Sequence, residues 1–170
     1  ISGNLFFKNG GDAVDLSGSR DIEVKNNGIL LSGDKGCSVG ENSQAFIRQN
    51  FLAWNEMGIA AKDLSRIQAE ENIYYRNKLA LNAYQKKPIF GGGQTDSKGE
   101  SFIGNFENSK HDLQSRITIQ GERILKAGDA EQLPSSAAEA AQKTSAFLHE
   151  LKVSWAKTGQ WPEKIERWVK

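Results

Sequence analysis

Six charged side chains, Asp15, Asp34, Lys35, Glu41, Lys62 and Asp63, are the residues of this 170-residue chain best placed to do chemistry. Glu41 and Asp63 stand at the same offset in adjacent repeats. On neighbouring strands, two such carboxylates would lie ~4.8 Å apart. Carboxylates that close repel unless a cation, a base or solvent lies between them. Lys62 is at hand, one residue before Asp63, and Asp12, Asp15, Asp34 and Lys35 fall near the same side. A solvated charged face is the commoner role for such a set. The remaining reactive types are few. Cys37 is the only cysteine, so an intramolecular disulfide and a multi-cysteine metal site are both excluded. It falls in an apolar column, where a thiol is buried and inert. Neither His111 nor His149 has a recognisable triad or metal partner.

The elements that would position these groups are set by a repeat. Asn4, Asn27, Asn50 and Asn72 recur at intervals of 23, 23 and 22 residues. Three residues before each stands Ile1, Val24, Ile47 or Ala69, and two after it Phe6, Ile29, Leu52 or Tyr74. Five after it come Asn9, Ser32, Asn55 and Asn77. A second strand comes next in each repeat, with one apolar column at Val14, Cys37, Ile59 and Leu81 and another at Leu16, Val39, Ala61 and Ala83. The two columns are two residues apart, the period of a strand with one face buried. Small residues precede them, Ala13, Gly36, Gly58 and Ala80, and suit a tight corner between sheets. Helical solenoids have longer repeats, and leucine-rich repeats need leucines at fixed offsets that these lack. The asparagines are expected to stack inward as ladders, bonding one another and the backbone. By alternation Tyr74 faces inward, whereas Trp54 and Tyr75 face outward and are candidate carbohydrate-stacking residues.

The pattern I-x-x-N-x-Φ, then N, then G-Φ-x-Φ (Φ apolar) resembles the repeat of pectate-lyase-like, right-handed parallel β-helix proteins over residues 1 to about 90. The run Gly33–Ser43 is also similar to β-helix modules of uncharacterised bacterial secreted proteins. The resemblance implies an all-β fold, a right-handed parallel β-helix of about four to five coils. It leaves the chemistry open, because lyases, hydrolases and non-catalytic adhesins share the repeat. In the lyases, acidic side chains on one flank hold calcium and a basic side chain abstracts a proton α to a uronate carboxylate. Carried over, this makes Asp15, Glu41 and Asp63 candidate Ca²⁺ ligands and Lys35 and Lys62 candidate bases. No arginine of these coils clearly faces the cluster, which counts against a lyase. Hydrolase-like carboxylate motifs are missing too.

After Tyr84 the pattern breaks. Residues 88–100 read as a polar loop, and a degraded fifth coil is expected from Phe102 to Ile119, with Lys110-His111-Asp112 as a turn. Residues 1–120 are thus the β-helix and 121–170 a helical C-terminal extension. In that extension Ser136 and Glu139 fit a capping box. Ala140, Thr144, Phe147, Leu148, Leu151 and Trp155 recur at helical spacing. Its expected job is to cap the open end or one side of the β-helix, whose last coil exposes unpaired backbone. Ile1 sits where an inward repeat residue belongs, so the first coil is expected to be covered by upstream coils of the same precursor or by another subunit.

The net charge of +1 disfavours nucleic acid as a partner, and no apolar run is long enough to span a membrane. The function expected is that of a C-terminal β-helix module of a secreted or cell-envelope bacterial protein, without a cofactor, presenting a flank to polysaccharide or to a protein partner. The alternative is a polysaccharide-active enzyme, lyase or hydrolase, with Ca²⁺, or a fragment of one whose active site lies on upstream coils.

Overall fold

The computed structural model describes residues 1–125. They form five successive coils, each contributing three strands. Coil one holds β1 (Leu5–Phe7), β2 (Val14–Ser17) and β3 (Ile22–Lys25). Coil two holds β4 (Gly28–Leu30), β5 (Lys35–Gly40) and β6 (Gln44–Arg48). Coil three holds β7 (Phe51–Ala53), β8 (Met57–Lys62) and β9 (Arg66–Glu70). Coil four holds β10 (Ile73–Tyr75), β11 (Leu79–Tyr84) and β12 (Gln94–Lys98). Coil five holds β13 (Ser101–Ile103), β14 (Glu107–His111) and β15 (Arg116–Gln120), and β16 (Arg123–Leu125) starts the next turn. Every third strand pairs in parallel. Sheet I runs β1-β4-β7-β10-β13-β16, sheet II β2-β5-β8-β11-β14 and sheet III β3-β6-β9-β12-β15. This is a parallel β-helix.

The register is the one the apolar columns predict. Val14 pairs with Cys37, Cys37 with Ile59 and Ile59 with Leu81. Leu16, Val39, Ala61 and Ala83 stack beside them. Sheet I sends Ile29, Leu52, Tyr74 and Phe102 into the same core, where the rings of Tyr74 and Phe102 stack at 5.2 Å. Ile59 and Leu81 are fully buried at the centre of this column. Truncating Ile59 to alanine should therefore cost about 2–5 kcal/mol through the cavity it leaves. Urea melts of wild type and Ile59→Ala check the value; a loss below about 1 kcal/mol would contradict the packing.

The corners are held by side chains. Asn27, Asn50 and Asn72 are buried, and each Oδ1 accepts the backbone N–H and the amide N–H of the asparagine one coil earlier, at 2.9–3.2 Å. Asn55, Asn77 and Asn105 form a second ladder between sheets I and II. Serines form a third between sheets II and III: the N–H of Ser19 donates to Ser43 Oγ and that of Ser43 to Ser65 Oγ. The chain turns at these corners through left-handed conformations, at Asn26, Gln49, Glu71 and Gly99 before the first ladder.

Three sequence expectations change. The stretch 88–100 is not one polar loop, because Gln94–Lys98 is strand β12, in register with β9 and β15. Its inward positions carry Thr95 and Ser97, small polar side chains that hide a buried strand from a hydropathy reading. The actual loop is Gln85–Gly93. It ends where Gly93 passes so close to the coil below that a Cβ would meet the Ala61 carbonyl oxygen at 2.1 Å. Lys110 and His111 belong to β14 rather than to a turn, since Asn82 and Ala83 of β11 pair with them. Residues 123–125 are strand rather than helical extension, because Phe102 and Ile103 pair with Ile124 and Leu125. The helical segment expected beyond them lies outside the described residues.

Candidate functional site

Sheet II carries Asp15, Lys35 and Lys62 on its outer face. One outer row runs Asp15, Ser38, Ala60, Asn82, Lys110. A second runs Lys35, Met57, Leu79, Glu107. A third places Ser17 beside Gly40 and Lys62 beside Tyr84. The structure therefore brings Lys35, Lys62, Asp12, Asp15 and Asp34 onto one flank, with Tyr84 among them.

Lys35 is an ion-pair centre. Its ammonium, almost wholly buried, bonds Asp34 and reaches Asp12 Oδ1 at 3.2 Å, and Asp12 Oδ1 also accepts the Lys35 backbone N–H. Burial works against this charge, yet the bond to Asp34, with Tyr84 and Asp12, leaves the pKa of Lys35 raised. Lys62 is the opposite case. It is buried, its stem lies across Gly40, and it has no carboxylate at ion-pair distance among the described residues. Burial is the main cause that lowers its pKa; Asp15 opposes the shift, and Lys35 and Lys86 reinforce it. Tyr84 closes the cluster, its phenol pKa raised by burial and drawn back by Lys35.

The three carboxylates considered as metal ligands are put to different uses. Glu41 pairs with Lys87. Asp63 is buried, and its Oδ1 accepts the backbone N–H of Lys86 and of Lys87, both at 2.7 Å. It anchors the Gln85–Gly93 loop, which Asp112 holds from the other side by accepting the Gln85 N–H at 2.7 Å. Asp15 remains on the sheet face. Among the described residues no group of three or more histidine, cysteine, aspartate or glutamate side chains could hold a metal ion.

Trp54 and Tyr75 lie on sheet I, away from this flank. Both are half-buried, in edge-to-face contact at 5.3 Å. Phe51 stacks on Tyr75 at 6.2 Å and the Arg76 guanidinium sits 5.3 Å from its ring centre. The Tyr75 ring is thus already engaged by protein. Cys37 is fully buried, and burial pushes its thiol up to about 12, far from nucleophile chemistry at neutral pH. His111 is exposed on β14, with its Nδ1 2.9 Å from the Asp112 carbonyl oxygen.

An open cleft of about 480 Å³ lies further along the sheet II flank, across coils three to five. Asn82, Tyr84, Lys110 and His111 line it, with Phe106 on one wall and the Lys78–Glu56 ion pair on its rim. Phe106 is 89 % exposed. Periodicity alone does not single these residues out as a binding surface. The signal for Asn82 is its place between the two inward columns of β11, which makes it outward by alternation.

Sheets, ladders and flank define a parallel β-helix module. A family model described as "Protein of unknown function (DUF1565)" matches residues 4–135, and the chain belongs to this family. No curated protein and no solved structure matches the chain.

Proposed function

We propose that the chain is a non-catalytic β-helix module of a secreted or cell-envelope bacterial protein, and that its sheet II flank binds polysaccharide. The observation behind this reading is the cleft across coils three to five. It sets two aromatic side chains, Tyr84 and the exposed Phe106, among an amide, carboxylates and ammonium groups on a rigid sheet. Sugars offer a ring face to stack on an aromatic and hydroxyls that bond amides and carboxylates. A flat, repetitive flank suits a repetitive chain better than a small enclosed ligand. Among the described residues no helix is long and apolar enough to cross a membrane, which fits a module displayed outside a bilayer.

Affinity electrophoresis against a panel of neutral and uronate-containing polysaccharides tests the reading. At least one should retard the protein. Tyr84→Ala and Phe106→Ala should each weaken binding by roughly tenfold, equivalent to about 1.4 kcal/mol. Trp54→Ala, on sheet I, should leave binding unchanged. Retention unaffected by the Tyr84 and Phe106 variants would overturn the assignment of this flank.

One observation favours a second reading, a lyase with or without Ca²⁺. Lys62 is a buried amine with a lowered pKa and no ion-pair partner among the described residues, the condition a general base needs. Release of unsaturated uronides from the same panel, lost in Lys62→Met, would replace the binding module by the enzyme.

A further inference from the structure

Sheet I differs from its two companions in having a mostly apolar outer side, whose polar members are Ser101 and Arg123 of its last two strands. The middle residue of each strand points into the core, so its neighbours point outward. On the outer side stand Leu30, Phe51, Ala53, Ile73 and Ile103, with Leu125 at the edge. They form an apolar cluster of their own, separate from the core, built only from sheet I residues and the adjoining Trp54. An antiparallel or solvated face would alternate with polar side chains, as sheet II does with Asp15, Asn82 and Lys110; a sheet apolar on both faces is one that is covered on both. Accessibility agrees. Leu30, Ala53 and Ile73 are 0 % exposed on the outer side, the same as Ile29 and Leu52 on the inner side. No described strand is stacked on that outer side.

We propose that the chain's own segment 137–155 docks along the outer face of sheet I, as an amphipathic helix running back across the strands from β16 towards β1. This goes beyond the glycan reading, which concerns the opposite flank of the corner. Three observations select this occupant. Leu125, the last described residue, is itself an outer residue of the final sheet I strand, so the chain leaves β16 at the edge of this apolar face. The sequence from Ala137 to Trp155 gathers Phe147, Leu148, Leu151 and Trp155 on one helical side. The lengths agree: nineteen helical residues span ~28 Å at 1.5 Å each, and six strands spaced ~4.8 Å cover ~24 Å. The family match ends at residue 135, just before this segment. The segment is thereby a lateral cover rather than a plug for the open end.

Amide hydrogen exchange on the 170-residue chain, read with its mass in solution, tests this. Residues 137–155 and the sheet I strands should be protected in a monomer. In Leu148→Asp/Leu151→Asp, exchange in both should accelerate by roughly tenfold or more. Binding of an apolar-surface dye should rise, while the far-UV spectrum of the β-helix persists. Gln142→Glu, on the opposite side of the helix by spacing, should change nothing. Unprotected amides over 137–155 in the wild type would overturn the proposal. So would a wild-type dimer whose dissociation on dilution exposes the face, since a second copy would then be the occupant. If the double variant fails to fold, Trp155→Ala read by the same exchange measurement decides.

Discussion

Replacing Glu100 by glutamine should stabilise the protein at pH 8 and remove most of the pH dependence of its melting between pH 5 and pH 8. Glu100 occupies the coil-five position of the asparagine ladder. Its Oε2 accepts the Asn72 backbone N–H at 2.8 Å and its Oε1 the Asn72 amide at 3.3 Å. The side chain is wholly buried, and burial drives its pKa from 4.5 to about 8, with the Asn72 bonds pulling the other way. The folded state therefore prefers the protonated acid. A carboxyl raised on folding contributes its full stability below the unfolded pKa of 4.5 and loses it as pH rises through about 8. At about 1.4 kcal/mol per pKa unit the loss across that window is on the order of a few kcal/mol. Glutamine keeps the length and the acceptor oxygen, never ionises, and supplies N–H donors of the kind Asn50 uses on Val24 and Arg48 carbonyls. Calorimetric melts of both proteins at pH 5, 7 and 9 check this. Curves for wild type and Glu100→Gln that stay parallel across pH would show that the acid is not held neutral.

Glu100 also marks where sequence reasoning stops. The asparagine columns are legible because a polar amide at an inward position is tolerated only when it is hydrogen-bonded, which fixes its spacing coil after coil. That spacing places Val14, Cys37, Ile59 and Leu81 in one stack, and the structure pairs them so. The next rung fails the rule twice. It is a glutamate, and it comes 28 residues after Asn72 rather than 22 or 23, because the Gln85–Gly93 loop has been inserted. With Thr95 and Ser97 inward as well, nothing apolar announces β12. The serine ladder escapes a sequence reading for a related reason: serine is common at turns, so Ser19, Ser43 and Ser65 stand out only once the coil spacing is known.

The candidate site divides along the same line. Alternation sets Asp15 and Lys62 outward on sheet II, but it fails for Lys35, which shares the parity of the inward Cys37 and Val39 and faces the flank because Gly36 between them turns toward the core. What each charge does there depends on neighbours that periodicity does not specify. Glu41 and Asp63 share an offset, but both lie at a corner in left-handed conformation, at φ 56° and 53°, and not in the flat part of the sheet. The inserted loop supplies Lys87 to one and two backbone N–H groups to the other. Asp112, Tyr84 and Phe106 line the open cleft on coils three to five, and the inserted loop meets that lining where the Gln85 N–H donates to Asp112. Insertions in a solenoid project from one side and are the usual place where a repetitive scaffold acquires a binding feature.

Replacing Asn50 by alanine should be among the most destabilising changes in the chain, about 3–4 kcal/mol, whereas Asn4→Ala should cost below about 1 kcal/mol. Asn50 is wholly buried and makes every bond its amide can make. Its Oδ1 accepts the N–H and the amide N–H of Asn27, both at 3.0 Å, and the two hydrogens of its Nδ2 are shared among three acceptors, Val24 O, Arg48 O and Asn72 Oδ1. Alanine strands the Asn27 donors and the Val24 carbonyl away from water, and each buried group left unpaired costs about 1–3 kcal/mol. Asn4 stands at the exposed start of the ladder, where water replaces what its amide loses. Asn50→Leu separates hydrogen bonding from volume. It fills the space without pairing the polar groups, so it should be no better than alanine. Urea melts of the three variants give the comparison. Equal losses at positions 4 and 50, or a rescue by leucine, would mean that packing rather than the amide ladder holds this corner, and that coils are joined by their apolar columns alone.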